Sequence, residues 1–249
     1  MAGIGRFADT DVGEDFSRKP PIPGWKSTPV VSVREALAEI ADYPDVEAVL
    51  DTAEAYFPDK TYENKLNSQQ ARSIFVYTSN MKNSKDKVFH EDLNKSLRER
   101  NQRKNPYLLF AKLLQSSLLS LQIACDSILW RAIKEDLHDK FKDKIGETIV
   151  FWGFTSTTTR MQVLDEFLPS SGGSILCFKL PFASPVARFS AYEHESEWLI
   201  AAGSSFKVNN VYKARGGAGT TMVEFSFVSS LLAVDAPAEV TPPIQPIYI

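Results

Sequence analysis

A change in sequence texture near residue 127 limits the folds that this chain can adopt. Before it, apolar residues recur at helical spacing, and one helical face carries Val33, Ala36, Leu37 and Ile40. After it, short segments rich in β-branched and aromatic residues are separated by glycine-containing turns. Helices that precede the strands, instead of alternating with them, indicate an α+β fold and not a doubly wound parallel sheet.

Helical patterns cover most of the first half of the chain. One covers residues 32–56 and is broken at Pro44, and the next two cover residues 65–79 and Phe89–Glu99. A fourth begins at Pro106, because proline suits the first turn of a helix. Its apolar residues are too many for a single stripe, so we expect this helix to lie at the centre of a helical layer.

The strand candidates are short, rich in β-branched and aromatic residues, and flanked by turns. They are residues 128–131, 148–152, 174–180, 198–200, 205–208 and 222–227. We expect one domain over residues 31–235, with a helical part at 31–126 and a β-rich part at 127–235. Residues 1–30 are interpreted as a flexible arm, and the proline-rich residues 236–249 as a tail.

The composition argues against several classes of function. Hydrophobic residues make up 43% of the 249 residues and the formal net charge is -3, so a globular protein without a basic surface for nucleic acid is expected. No apolar run reaches the length of a membrane span, and the N-terminus lacks the apolar stretch of a signal peptide. We therefore expect an intracellular, cytoplasmic protein.

The cysteines and histidines carry little information about function. Cys125 and Cys177 could form one disulfide, but free buried thiols in a reducing compartment are the preferred interpretation. The three histidines and two cysteines lack the spacing of zinc ligands, so no metal site is expected.

Two glutamates, Glu195 and Glu197, are the clearest candidates for chemistry. In a strand they would share a face, whereas in a turn just before a strand both could point into one cleft. An ionised carboxylate can stabilise an oxocarbenium ion, and a second carboxylate can take a proton from a nucleophile. A solvated acidic loop is the alternative, against which the apolar continuation Trp198-Leu199-Ile200 argues.

Two further polar residues lie in apolar surroundings. Ser156 follows an aromatic lead-in at Phe154 and could orient a catalytic carboxylate, or it could belong to an ordinary polar strand. Arg131 follows Trp130 in an apolar segment, where a guanidinium needs a partner. That partner could be a phosphate held by two parallel hydrogen bonds, or a carboxylate in a structural ion pair.

In this order along the chain, the residues resemble the arginine-specific mono-ADP-ribosyltransferases, the Arg-Ser-Glu branch that includes cholera-toxin-like enzymes. Trp130-Arg131-Ala132 is similar to the family's aromatic-Arg-Gly strand, and Phe154-Thr155-Ser156-Thr157-Thr158 to its F-x-S-T-S motif. Glu195-Ser196-Glu197 resembles its E-x-E motif, with Tyr192 at the place of the turn aromatic. The similarity covers about residues 65–230, is closest to the animal enzymes, and implies a helical layer followed by a mixed or antiparallel β-sandwich.

The resemblance implies transfer of ADP-ribose from NAD, or NADP, to arginine side chains of an acceptor protein by a monomeric enzyme. Arg131 would anchor a phosphate of NAD, and the backbone at Ala132, which replaces the family's glycine, would hold the nicotinamide amide. Thr157 would belong to the same NAD-binding set. Ser156 would orient Glu197, which would bond a ribose hydroxyl and stabilise the oxocarbenium ion.

On the acceptor side, Glu195 would orient or deprotonate the incoming guanidinium, and Tyr192 would help to place it. Phe167, residues 170–173 and the aromatic residues around Phe154 are candidates for the nicotinamide pocket. Two alternatives stay open: an NAD glycohydrolase on the same fold, and a non-catalytic NAD-binding or interaction module. The intact set of Arg131, Ser156 and the two glutamates argues against the second.

Overall fold

Among the described residues, five helices form the first half of the molecule, as the helical patterns predict. The structure, a computed structural model, describes residues 22–40, 42–63, 65–99, 105–169, 172–214 and 219–232. The helices of this half are α1 (Val33–Leu37), α2 (Val46–Tyr56), α3 (Ser68–Thr78), α4 (Phe89–Glu99) and α5 (Leu108–Leu121). A one-turn helix, α6 (His138–Phe141), lies among the strands.

Local capping determines where two of these helices begin. The Ser32 side chain accepts a hydrogen bond from the backbone of Glu35, whose carboxylate in turn accepts from the backbone of Ser32. Asn67 and Gln70 make the same reciprocal pair at the start of α3. Each pair satisfies amide groups that the first turn of a helix leaves without a partner.

The strands form one mixed sheet, which confirms the predicted α+β class. They are β1 (Ile123–Ala124), β2 (Leu129–Ile133), β3 (Thr148–Phe151), β4 (Thr155–Thr158), β5 (Ser174–Lys179), β6 (Phe182–Pro185), β7 (Glu197–Ile200), β8 (Ser204–Lys213) and β9 (Thr221–Ser230). Their order in the sheet is β1-β6-β7-β4-β2-β5-β9-β8-β3. The β5–β9 pair is parallel and the other pairs are antiparallel.

The sheet curls so that strands distant in its order share one apolar core. Phe151 of β3 and Phe178 of β5 are separated by two strands in the sheet, yet their ring centroids lie 5.3 Å apart. Phe206 and Phe225 complete the aromatic cluster, with centroids 5.6 and 5.4 Å from that of Phe151. This core joins residues of strands β2, β3, β5, β6, β7, β8 and β9, so the two halves of the sheet face each other as in a sandwich.

Helix α5 occupies the centre of the helical layer, as its apolar content predicts. Phe110, for example, is fully buried and packs edge-on against Phe89 at a centroid distance of 4.9 Å. Three of the polar residues that interrupt the apolar run, Lys112, Gln115 and Ser117, are buried too, and Gln115 carries bonds to the sheet side. The Gln115 side chain accepts from the Ala202 amide at 3.1 Å and donates to the Leu232 carbonyl at 3.0 Å. Helix α5 is thereby attached to the turn between β7 and β8.

Several boundaries differ from those expected from the sequence. Helix α5 begins at Leu108, two residues after Pro106, because Tyr107 occupies the N-cap position. Strand β8 extends to Lys213, well beyond the predicted residues 205–208. Strands β1 and β6 were not predicted, since one has two residues and the other begins with an exposed phenylalanine and ends in proline. Strand β4 was not among the strand candidates either, and was considered only as a polar strand around Ser156.

Residues 22–28 pack against the helical layer and do not behave as the arm proposed for residues 1–30. Ile22 and Trp25 are buried in the helical core, and the ammonium group of Lys112 donates to the Trp25 carbonyl at 3.2 Å. The same ammonium lies 5.1 Å from the Trp25 ring centroid, a cation–π distance. Residues 1–21 and the predicted tail, 236–249, lie outside the described residues.

Both cysteines are free and buried, as the sequence interpretation prefers. Burial raises the pKa of the Cys177 thiol to about 12, which keeps it protonated at neutral pH.

In the part of the chain that the structure describes, no helix is both long and apolar enough to cross a membrane.

Asp136 connects the segment before α6 to the β8–β9 hairpin. Its carboxylate accepts hydrogen bonds from the ammonium group of Lys213, the hydroxyl of Thr221 and the backbone amide of His138. These bonds, chiefly that from Lys213, lower the pKa of Asp136 to about 2. The carboxylate is therefore ionised, and its network intact, throughout the neutral range.

We expect Asp136→Asn to destabilise the protein by about 1 kcal/mol at pH 7, a modest loss because solvent screens this half-exposed pair. The folded-state pKa lies below the unfolded one, so the stabilisation is present above about pH 4 and disappears as pH falls through about 2. Urea unfolding at pH 7, 4 and 2.5 measures this dependence. Asp45→Asn is the control, since that side chain makes no capping bond. An equal difference at all three pH values would contradict the assignment.

Candidate active site

Three adjacent strands bring together the residues singled out in the sequence. Strand β4, which carries Ser156, lies between β2, which carries Arg131, and β7, which begins at Glu197. Thr158 of β4 is opposite both Trp130 and Glu197, so antiparallel pairing sets the three motifs side by side. The side chains are buried, with exposed fractions of 6% for Arg131, 2% for Ser156 and 0% for Glu197.

A direct hydrogen bond ties Arg131 to the neighbouring strand. Its Nη1 donates to the Ser156 backbone carbonyl at 3.0 Å. Because this bond crosses from β2 to β4, it holds the guanidinium beside the serine. The site thus contains a buried cation, as binding of a phosphate or carboxylate would require.

The two glutamates lie on either side of a sharp turn and not in one strand. Glu195 ends a 3₁₀ turn that covers Glu193–Glu195, and Glu197 is the first residue of β7. Between them Ser196 adopts the left-handed conformation, with φ 50° and ψ 43°. Both glutamates are buried nonetheless, at 5% and 0% exposure. Of the two geometries that the sequence allows, the turn before a strand is therefore the one observed.

Hydroxyl groups around the turn fix its position. Ser190 Oγ lies 3.5 Å from Oε2 of Glu197, at the limit of a hydrogen bond, and donates to it. Thr158 Oγ1 donates to the backbone carbonyl of Glu195 at 3.4 Å. The turn is thus attached both to the segment before it and to strand β4.

The end of helix α3 holds the other side of the same turn. Thr78 Oγ1 accepts from the Ala191 amide at 2.9 Å, and Asn80 Nδ2 donates to the Tyr192 hydroxyl at 2.6 Å. Tyr192 is half-buried and its ring lies edge-on to His194 at 6.2 Å. The helical layer therefore determines where Tyr192 stands relative to the glutamates.

The remaining predicted residues lie around this group. Thr157 Oγ1 donates to the Trp198 carbonyl at 2.8 Å and fastens β4 to β7. Ala132 is fully buried in a separate small cluster, against which Phe167 is packed. Its side chain points away from that of Arg131, because successive strand residues face opposite sides of a sheet. Of the pocket candidates 170–173, residues 170 and 171 lie outside the described residues.

Two residues of the helical layer join the site, and sequence reasoning gave them no role. Asn94 Oδ1 accepts from the Phe154 amide at 2.8 Å, while its Nδ2 donates to the Phe154 carbonyl at 3.1 Å and to the Tyr77 hydroxyl at 3.3 Å. Tyr77 is 1% exposed. The sequence does offer one sign of the role of Asn94: its amide side chain follows Leu93 on the apolar face of α4. A polar group buried on such a face needs hydrogen-bond partners.

Tyr77 has a strongly perturbed hydroxyl group. Burial raises the pKa of Tyr77 to about 12, and the charge of Glu197 raises it too. The hydrogen bond from Asn94 acts in the opposite direction, and so does the charge of Arg131. The phenol is therefore protonated at neutral pH.

The described residues contain no group of three or more His, Cys, Asp and Glu side chains placed to hold a metal ion. The polar groups of the site are instead a guanidinium, hydroxyls and two carboxylates. Such a set can bind a phosphate, orient a carboxylate and stabilise developing positive charge.

The fold is a helical layer on a curled mixed sheet, and Arg131, Ser156 and Glu197 lie on three adjacent strands of that sheet. The sequence model of the NAD:arginine ADP-ribosyltransferase family matches residues 38–226. The chain therefore belongs to this family, whose members use NAD as a substrate. No curated protein matches the sequence of the chain.

Solved structures agree with this fold at low sequence identity. The eukaryotic mono-ADP-ribosyltransferase ART2.2 superimposes with a TM-score of 0.58 at 16% identity, over 80% of this chain and 84% of that one. HopU1 of Pseudomonas syringae gives 0.56 at 16% identity, over 74% and 87%. Plx2a, a toxin from Paenibacillus larvae, gives 0.55 at 18% identity, over 74% and 97%. These likenesses show a shared fold.

We expect Gly153→Ala to impair both stability and activity. A Cβ at Gly153 would lie 2.8 Å from Oδ1 of Asn94, and the bonds of Asn94 to Phe154 and Tyr77 prevent it from moving away. Crowding of this kind costs about 1–3 kcal/mol. Thermal unfolding and nicotinamide release from NAD measure the two effects.

Gly146→Ala provides the comparison. A Cβ there meets no atom within 4 Å, although φ is +92°, so that variant suffers backbone strain alone. It should lose stability and keep its activity. If Gly153→Ala were as active and stable as the unsubstituted protein, Asn94 would not be held as described.

Proposed function

We propose that the protein transfers ADP-ribose from NAD to an arginine side chain of an acceptor protein and releases nicotinamide. The observation that carries the proposal is the pair of buried carboxylates, Glu195 and Glu197, on either side of the left-handed residue Ser196. One carboxylate can serve the sugar while the other serves the acceptor. Arginine needs such a partner, because its guanidinium has a pKa above about 12 and is a poor nucleophile.

On the NAD side, Arg131 clamps a phosphate and Ser156 orients Glu197. The bond from Arg131 to the Ser156 carbonyl supports both roles, since it fixes the guanidinium and the strand that bears the serine. The backbone of Ala132 holds the nicotinamide amide. Thr157 contributes by keeping β4 paired with β7 through its bond to the Trp198 carbonyl.

The reaction breaks the bond between C1′ of the ribose and the nicotinamide nitrogen. Nicotinamide departs as a neutral molecule with the electron pair of that bond. The positive charge that develops on the ribose is stabilised by the ionised carboxylate of Glu197, which also bonds a ribose hydroxyl.

On the acceptor side, a guanidinium nitrogen attacks C1′ and a new C–N bond forms. Glu195 orients the guanidinium and takes the proton that the nitrogen loses. Tyr192 places the acceptor, and its bond from Asn80 supports this role because it holds the ring beside the turn.

Incubation with NAD and agmatine, a small arginine analogue, tests the proposal directly. ADP-ribosylated agmatine together with free nicotinamide is the expected product. Nicotinamide and free ADP-ribose alone would instead indicate an NAD glycohydrolase. Neither product would indicate a non-catalytic NAD-binding module. Parallel incubations with NADP determine whether it replaces NAD.

We further propose that the enzyme acts as a monomer in the cytoplasm. The two free, buried cysteines support a reducing compartment, since thiols survive there without pairing. Size-exclusion chromatography with light scattering would measure the oligomeric state.

We expect Glu197→Gln to reduce turnover roughly 10²–10³-fold, because the amide keeps the shape and loses the charge that stabilises the oxocarbenium ion. Transfer to agmatine and hydrolysis of NAD should decline together, since both pass through that ion. Nicotinamide release measures both, and circular dichroism checks the fold. Near-normal activity in a folded variant would remove Glu197 from the proposed role.

Glu195→Gln should abolish transfer to agmatine and leave slow NAD hydrolysis, because water needs no guanidinium partner. Paired assays of nicotinamide release and agmatine labelling on the same variant measure this separation. Glu193→Gln is the matched control, an exposed carboxylate in the same turn that should retain both activities. Equal loss of both activities in Glu195→Gln would show that the two glutamates act as one unit.

A further inference from the structure

The short segment before the active-site turn, residues 186–190, contacts Glu197 from both of its ends. The Val186 amide donates to the Glu197 backbone carbonyl at 3.0 Å and so continues the pairing of β6 with β7. The chain then passes through a 3₁₀ turn, Ala187–Phe189, and Ser190 Oγ returns to the carboxylate, 3.5 Å from Oε2. One segment therefore holds both the backbone and the side chain of Glu197.

The position of Ser190 is fixed by its two neighbours in the chain. Phe189 is 4% exposed, and its ring lies against that of Phe57, which follows helix α2, at a centroid distance of 5.9 Å. On the other side, the Ala191 amide donates to Thr78 Oγ1 of helix α3 at 2.9 Å. Ser190 thus lies between two attachments to the helical layer, and its side chain is held beside the active-site turn.

The hydrogen bonds of Ser190 have a defined direction. Its Oγ accepts from the Tyr192 backbone amide, which can only donate, at 3.1 Å. The hydroxyl has one proton and an ionised carboxylate offers only acceptors, so that proton is donated to Oε2 of Glu197. The distance of 3.5 Å is long for such a bond, and bonds of catalytic groups often shorten in the complex with substrate. One hydroxyl therefore connects the backbone of Tyr192 to the carboxylate of Glu197.

We propose that Ser190 is a positioning residue whose hydroxyl holds the Glu197 carboxylate in the orientation that the reaction requires. A hydrogen bond to an ionised carboxylate is stronger than one between neutral groups, and it restricts the rotation of the long glutamate side chain. Orientation matters because electrostatic stabilisation depends on groups that are in place before the charge develops. This inference rests on the proposed role of Glu197 in stabilising the oxocarbenium ion.

The kinetic test uses Ser190→Ala, which removes only the hydroxyl. The backbone of Ser190 is extended, with φ -77° and ψ 149°, so alanine adopts it without strain. We expect kcat for nicotinamide release to decrease about 10-fold, a typical effect of losing one hydrogen bond to a charged group. The KM for NAD should stay within about 2-fold, because Ser190 is proposed to act on Glu197 and not on NAD. An unchanged kcat would overturn the proposal, and a raised KM beside it would indicate contact with NAD.

Ser184→Ala is the matched control. This serine lies on strand β6, just before the same segment, and its hydroxyl donates to the Leu118 carbonyl of helix α5 at 2.7 Å. The variant should keep the kcat of the unsubstituted protein. An equal decrease of kcat in Ser184→Ala and Ser190→Ala would assign the effect to looser packing of this segment and would overturn the proposal.

A double-mutant cycle tests whether Ser190 acts through Glu197. In Glu197→Gln the charge that Ser190 orients is absent, so the addition of Ser190→Ala should change the remaining kcat by less than about 2-fold. A further loss of about 10-fold would show that the two side chains act independently, and would overturn the proposal.

A nuclear magnetic resonance measurement tests the same link without catalysis. The Tyr192 amide proton, which is donated to Ser190 Oγ, should shift in Glu197→Gln, because successive hydrogen bonds polarise one another. Glu197→Gln should shift it much less when Ser190→Ala has removed the connecting hydroxyl. No shift, or an equal shift with and without the hydroxyl, would overturn the proposal. If the unsubstituted protein released no nicotinamide, the proposed function would fail, and this resonance alone would decide whether Ser190 bonds Glu197.

Discussion

The hydrogen bonds between Asn94 and the Phe154 backbone are the constraint on which the active site depends. They join helix α4 to the start of β4 through both the amide and the carbonyl of one residue. Strand β4 in turn sets the position of Arg131 on one side and of Glu197 on the other, because it pairs with β2 and β7. Gly153 is required next to this contact, since a side chain there would collide with Asn94.

The helical layer supports the site through buried polar side chains whose partners are in the sheet or its turns. Gln115 bonds the turn after β7, Thr78 bonds the turn before it, and the half-buried Asn80 bonds Tyr192. An unsatisfied buried polar group costs about 1–3 kcal/mol, so each such bond favours one docking of the helices over shifted alternatives. Apolar packing gives the two layers their stability, and these bonds give the site its alignment.

The sequence predicted the elements better than their contacts. Helix α4 has the predicted bounds, and the order of helices then strands followed from periodicity. The motif residues Arg131, Ser156 and Glu197 were candidates from their local surroundings and were selected as a set by the family resemblance, and strand pairing brought them together. Tyr77 could not be selected in this way, because a tyrosine in an amphipathic helix looks like an ordinary core residue. Its contacts with Asn94 and Phe154 depend on how α3 and α4 pack against the sheet, and that is a property of the tertiary structure.

The left-handed residue Ser196 explains how adjacent acids can serve different substrates. In a continuous strand, Glu195 and Glu197 would point to the same face with parallel directions. A residue with φ of 50° costs of order 1 kcal/mol when it is not glycine, and here it separates the two carboxylates by a turn while both stay buried. The bonds from Thr158 and Ser190 to the two sides of the turn offset that cost. A left-handed turn held by neighbouring hydroxyls thus separates the two carboxylates, as the proposed division of labour between them requires.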